Sequence, residues 1–143
     1  MIEKLINKLE SVFGDIGYKL WFGTKNDYNG NREWTEKDII LEPFTFPLDL
    51  ENTCEWKSDW TLWVAIANEY GGEGLQGDAK KMDYLRDETL KIMEVIKNQH
   101  NLAVPKKLYE LDVQYYESNS NATVNNQALI RINFPIQIFN SNV

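Results

Sequence analysis

The stretch ALIRINFPIQIF, residues 128–139, constrains the fold more than any other part of the chain. Ala128, Ile130, Ile132, Phe134, Ile136 and Ile138 fall on every second position. Between them lie Leu129, Arg131, Asn133, Pro135, Gln137 and Phe139, a mostly polar set. A period of two sends alternate side chains to opposite faces, so this is a half-buried strand and not a helix. Its length demands a partner strand and its apolar face demands a covering layer. Pro135, in its middle, has no N–H to give a ladder, which points to a strand at the edge of a sheet.

The other segments supply what that strand needs. Ile2, Leu5, Ile6, Leu9, Val12 and Phe13 are spaced as one face of an amphipathic helix that Gly14 and Gly17 stop. YKLWFGT (18–24) is an aromatic strand, and Asn29-Gly30 follows as a turn dipeptide. In DIILEPFTFPLDL (38–50), Pro43 and Pro47 exclude a helix and leave an edge strand or an irregular arm. SDWTLWVAIANEY (58–70) carries Trp60, Leu62, Val64 and Ile66 on one face and Thr61, Trp63, Ala65 and Ala67 on the other, the pattern of a central strand. A helix is expected from about Ala79 to Gln99, with Met82, Leu85, Thr89, Ile92, Met93 and Ile96 inward and Pro105 beyond its end. KLYELDVQYY (107–116) alternates again, with Tyr109, Leu111, Val113 and Tyr115 inward. With the polar tip 117–127 it forms a closing hairpin with the final strand. The order predicts an α+β domain spanning 1–143: an antiparallel sheet of about five strands, with the N-terminal helix and one long helix packed on one face.

Composition narrows the function classes. A net charge of −7 and a pI near 4.7 disfavour a phosphate-gripping or anionic-membrane surface. Cys54 is the single cysteine, so no internal disulfide forms, and MIEKLINKLESVF lacks an apolar signal core. These features point to a chain that stays in the compartment where it is made, or in a particle assembled there.

GEGLQG, residues 72–77, matches G-x-G-x-x-G by letter between a strand and a helix. A dinucleotide loop would need positive surroundings and further βαβ units; Glu69, Glu73 and Asp78 repel phosphate, and a hairpin follows instead. His100 lies at a polar helix end, and one His, one Cys and scattered carboxylates have no metal-ligand spacing. Asp49/Glu51 and Asp83/Asp87/Glu88 could form acid–base pairs, but acids early in a helix more simply favour its dipole. Asn121-Ala122-Thr123 is a glycosylation sequon by letters alone. No catalytic residue, cofactor or metal is expected.

The expected function lies in edges and aromatics. The Pro43–Pro47 segment and the Pro135 strand are apolar on one side, and the final strand carries one charge, Arg131, where monomers usually place several. Trp34 and Trp56 flank polar residues as interface anchors, whereas Trp21, Trp60 and Trp63 suit the core. The candidate interface comprises Trp34, Phe44, Phe46, Pro47, Trp56, Gly72, Gly74, Arg131, Pro135 and Phe139. Sheet augmentation between copies would build a homo-oligomer, closing into a ring if the rotation permits.

The element order, from leading helix through DWTLWVAIANEY and a glycine-rich loop to one long helix and a closing hairpin, resembles the tail-terminator and tail-completion (head–tail connector, neck) proteins of tailed bacteriophages. That resemblance covers nearly the whole chain. It implies a non-enzymatic subunit of a ring in the virion, assembled in the host cytoplasm, contacting other virion structural proteins through loops 71–78 and 117–127. DNA would pass through an acidic channel without being gripped, and no membrane is involved. The alternatives are a small cytoplasmic binding or adaptor protein with a carbohydrate or peptide at exposed aromatics, and a nucleotide enzyme using residues 72–77.

Overall fold

The computed structural model describes residues 2–24, 28, 35–46, 50–51, 54–67, 79–104, 112–117 and 127–139, and of 67, 79–82, 112–117 and 127–128 the backbone alone. The elements are α1 (Ile2–Asp15), β1 (Lys19–Phe22), β2 (Lys37–Leu41), β3 (Glu55–Ala67), α2 (Ala79–Lys97), β4 (Leu102–Ala103), β5 (Asp112–Glu117) and β6 (Gln127–Phe139). The protein is α+β, as its periodicities require.

Helix α1 buries Leu5, Leu9 and Phe13, a stripe of every fourth residue. Its end is a Schellman motif: Gly17 turns at φ +88°, its N–H donates to the Gly14 carbonyl at 3.0 Å, and the Tyr18 N–H donates to the Phe13 carbonyl at 3.0 Å. Only glycine takes that φ without strain. The motif drops Tyr18 into the core beside Phe13 and feeds the chain into β1.

The six strands run in the order β1-β2-β3-β6-β4, with β5 also paired to β6. The spine is β3 against β6, antiparallel in unbroken register from Glu55↔Phe139 to Ala67↔Gln127. Even-numbered residues of both strands face the helices: Trp60, Leu62, Val64 and Ile66 meet Ile130, Ile132, Phe134, Ile136 and Ile138, all in one core with Leu5, Leu9 and Phe13 of α1 and Leu85, Ile92, Met93 and Ile96 of α2. The opposite face carries a smaller cluster of Tyr28, Ile40, Trp63, Ala65 and Leu129, with Trp21 against it. Both helices therefore pack on one face, as expected.

Three expectations are corrected. The sheet is mixed: β1 pairs β2 in parallel, with Trp21 opposite Ile40. Residues 23–36 separate these strands, long enough for the crossover a parallel pair needs, where a hairpin could have used a two-residue turn. Within DIILEPFTFPLDL, residues 37–41 form β2, held between β1 and β3 and not at an edge; only 42–46 run irregularly. The Pro135 strand is not an edge either, since β6 has β3 on one side and both β4 and β5 on the other.

Alternation explains how a proline sits there. In an antiparallel pair the N–H and C=O of one residue point to the same side, and the side alternates along the strand. The Phe139 N–H donates to the Asn101 carbonyl at 2.8 Å, towards β4, so odd-numbered β6 residues turn their backbone groups away from β3. Pro135 is odd, and its missing donor costs the β3 ladder nothing. On the other side it falls between the residues paired with β4 (137 and 138) and those paired with β5 (128–133). Tyr109, Leu111 and the hairpin tip lie outside the described residues.

Parity makes a sharp prediction. Pro135→Ala leaves the urea midpoint almost unchanged, while Phe134→Pro, one position away, removes both a donor aimed at β3 and a buried ring and lowers stability by about 3 kcal/mol or more. Equal effects of the two substitutions in equilibrium unfolding would show that the register is wrong.

Candidate functional site

The end of the sheet where β1 and β2 finish carries a run of aromatic rings. The β2–β3 ladder continues to a bond from the Glu42 N–H to the Thr61 carbonyl at 3.0 Å; Pro43 then offers no donor and holds Glu42 extended. The arm 42–46 crosses to the helix-side face of β3, where the Ser58 hydroxyl donates to the Thr45 carbonyl at 2.6 Å. That tether sets Phe44 on Trp60, with centroids 4.9 Å apart and planes 27° from parallel, and on Trp56 at 6.2 Å. Phe46 meets Trp56 edge-on at 5.8 Å, Phe22 meets Phe44 edge-on at 5.9 Å, and Trp60 meets Phe134 at 6.1 Å. Each such pair adds roughly 0.5–1.5 kcal/mol beyond area burial.

The rings grade from core to solvent. Trp60 and Phe134 are 1% and 2% exposed, Phe44 and Trp56 are half-buried, and Phe22 and Phe46 are 45% and 47% exposed. Leu50, in the same connection, is 94% exposed. These three are the exposed large hydrophobic residues among those described; Phe22 ends β1, and Phe46 and Leu50 follow β2.

Of the residues expected at an interface, the fold brings Phe44, Phe46 and Trp56 together. Arg131, Pro135 and Phe139 belong to the opposite face of the sheet. The Arg131 guanidinium lies 5.9 Å from the Trp63 ring, its register partner; Pro135 is exposed and Phe139 half-buried. Trp34, Pro47, Gly72 and Gly74 lie outside the described residues, as do Asp49 and loops 71–78 and 118–126. Phe22 was missed as a surface residue. Its signal is its place as the last residue of a short strand, on the face of buried Leu20 but beyond it.

A second, polar constellation joins α2 to β2. Glu88 is 4% exposed and accepts hydrogen bonds from Lys37 Nζ at 2.9 Å, Lys91 Nζ at 2.7 Å and the Tyr84 hydroxyl at 3.3 Å. The Lys37 ammonium also lies 5.6 Å from the centroid of the Tyr18 ring. Burial by itself would raise the Glu88 carboxyl, but the ammonium groups of Lys91 and Lys37 outweigh it and hold the group below its ordinary value. The Glu88 hydrogen bond raises Lys37 above its ordinary value, and burial raises the Tyr18 phenol, with Glu88 and Tyr84 adding to it. A carboxylate with three donors fixed on it is a tie between helix and sheet. Asp83 and Asp87 stay exposed, so the acids of α2 do not converge. Cys54 and His100 are both exposed. Among the described residues, no group of three or more His, Cys, Asp or Glu is placed to hold a metal ion, and no helix is long and apolar enough to cross a membrane.

No model of a known protein family matches the chain, and no curated protein aligns with it.

The polar tie yields two predictions. Because the folded pKa of Glu88 is depressed, its contribution is complete above its unfolded value near 4.5 and is lost as pH falls through the lower folded value. Lys37 works in reverse: its contribution is complete below about 10.5 and fades as pH rises through the higher folded value. Urea titrations from pH 2 to 8 are therefore expected to show a steeper acid loss for the parent than for Glu88→Gln, and parallel curves would overturn the tie. Separately, the Tyr18 hydroxyl is buried without a hydrogen-bond partner among the described residues, so Tyr18→Phe is expected to hold or raise the melting temperature, by the equivalent of about 1 kcal/mol. A clear loss of stability would mean that the hydroxyl is satisfied.

Proposed function

We propose that this chain is a non-enzymatic structural subunit that joins further copies of itself into a ring, in the setting of a bacteriophage neck or tail. The observation that carries the reading is the aromatic end of the sheet, where Phe22 and Phe46 stand exposed beside half-buried Phe44 and Trp56. Large apolar side chains gathered at one end of a domain are what an interface core requires, with buried aromatics as its anchors. The element order adds the resemblance to tail-completion proteins, and with it a virion location and neighbouring virion proteins as partners. The expectation that the final strand supplies the contact does not carry forward, because β3, β4 and β5 occupy its sides; the aromatic end takes that role.

The chemistry found elsewhere suits a scaffold. Glu88, the most buried of the described acids weighed for catalysis, is held by two ammonium groups and a phenol. A net charge of −7 suits a ring wall that lets DNA pass without gripping it. No cofactor is called for.

Native mass spectrometry and negative-stain electron microscopy of the whole chain test the reading. One closed ring of fixed copy number is expected, dispersed by Phe46→Ser or Phe22→Ser with the fold intact by circular dichroism. A monomer at every concentration, alone and with tail-tube or portal proteins, would overturn it.

A further inference from the structure

The outer side of β6 is closed in two pieces. β5 pairs residues 128–133, and β4 pairs residues 137 and 138. Pro135 lies between them without an N–H to give, so among the described residues β4 alone covers the stretch beyond it. That cover is two residues long, Leu102–Ala103. It is fastened by the Phe139 N–H, which donates to the Asn101 carbonyl at 2.8 Å, and by the Leu102 side chain, 5% exposed in the main core. A fault lies at the same place. Asn101 is 0% exposed, yet neither its side-chain oxygen nor its side-chain nitrogen has a hydrogen-bond partner among the described residues. His100 before it and Ala103 two places after it are exposed, so a small displacement of the turn returns the amide to water. Docking β4 therefore desolvates a whole amide without compensation, a cost of the same order as the gain from burying one leucine.

We propose that β4 is a strap poised to open: the turn at 98–101 swings out with Leu102 and Ala103, Asn101 is hydrated, and the outer edge of β6 beyond Pro135 is uncovered while the rest of the sheet holds. Local opening with the core intact is the ordinary behaviour of an element with few buried contacts. The geometry confines it. Odd-numbered residues of β6 turn their backbone groups towards β4 and even-numbered ones towards β3, so opening frees the N–H groups of Gln137 and Phe139 and leaves those of Ile136 and Ile138 facing the spine. The β5 pairing ends at Asn133, short of Pro135, and loses none of its bonds. Unpaired N–H groups along an open strand edge are what a further strand pairs with, so the strap switches β6 between a covered and a pairing-competent edge. The device does not depend on the ring assembly proposed above.

Hydrogen exchange of single amides in the whole chain, read by NMR, tests it. Gln137 and Phe139 are expected to exchange faster than Ile136 and Ile138, an alternation that simple fraying of a strand end does not produce. Leucine has the branched shape of asparagine without its polar atoms, so Asn101→Leu removes the cost of closing. It is expected to slow exchange at Gln137 and Phe139 by roughly tenfold or more, with Ile136 and Ile138 changed less. Should Asn101→Leu fail to fold, Ala103→Cys with Gln137→Cys, made with Cys54→Ser, gives a second reading. These register partners form a hydrogen-bonded pair, whose Cα atoms lie about 5.5 Å apart, within reach of a disulfide. Oxidation is expected to slow the Phe139 amide relative to Ile138, and a reductant to restore it. Four amides exchanging at one rate would overturn the strap, as would Gln137 and Phe139 exchanging no more slowly in Asn101→Leu than in the parent, or a Phe139 rate that ignores the disulfide.

Discussion

The pairing of β3 with β6 is the constraint on which the rest depends. Both strands are 13 residues long and meet without a bulge, so one register decides the facing of every side chain on both. A slip of one residue would turn Ile130, Ile132, Ile136 and Ile138 to the far face and bring Arg131, Asn133 and Gln137 against the helices. Helices α1 and α2, β1 and β2 on one flank, and β4 and β5 on the other, all rest on this pair. Cross-strand contacts on the far face agree with it: Thr61 donates to Asn133 at 2.7 Å, and Arg131 lies over Trp63.

The two ends of that spine are finished by different chemistry. Where β2 begins, Glu88 of α2 gathers Lys37, Lys91 and Tyr84 into a closed polar group, and on the other face Asp38 accepts from the Tyr28 hydroxyl at 2.7 Å and the Thr35 amide at 2.8 Å. These bonds hold connections against the sheet. Where β2 ends, the arm is held by one side-chain bond and by aromatic stacking, and its apolar groups run out into solvent. Among the described residues, one end is tied by polar bonds, and the other leaves large apolar side chains exposed. That asymmetry is the physical basis for the assembly reading.

Much of this was legible in the chain itself. Helix stripes, glycine stops and strand alternation are local properties, set by a periodicity that each segment carries within it. Leu5, Leu9 and Phe13, Ile130, Ile132, Phe134, Ile136 and Ile138 of β6, and Leu85, Thr89, Ile92, Met93 and Ile96 of α2 were readable for that reason. Pro135 was misread because a proline's cost depends on which side its nitrogen faces, and facing is set by a partner strand. Phe22 was passed over because its exposure comes from the end of a neighbouring strand, not from its own surroundings in sequence.

The sequence by itself determined the class of fold, the two helices, the long paired strands and the aromatic character of the segment between β2 and β3, since each follows from residue spacing and from the conformations that proline and glycine allow. Only the tertiary structure decided that β1 joins in parallel, that the last strand lies inside the sheet, that Glu88 meets Lys37 from 51 positions away and that the exposed rings collect at one end. Those outcomes depend on which distant segments pack together. Packing free energy belongs to pairs of segments and is absent from either one alone.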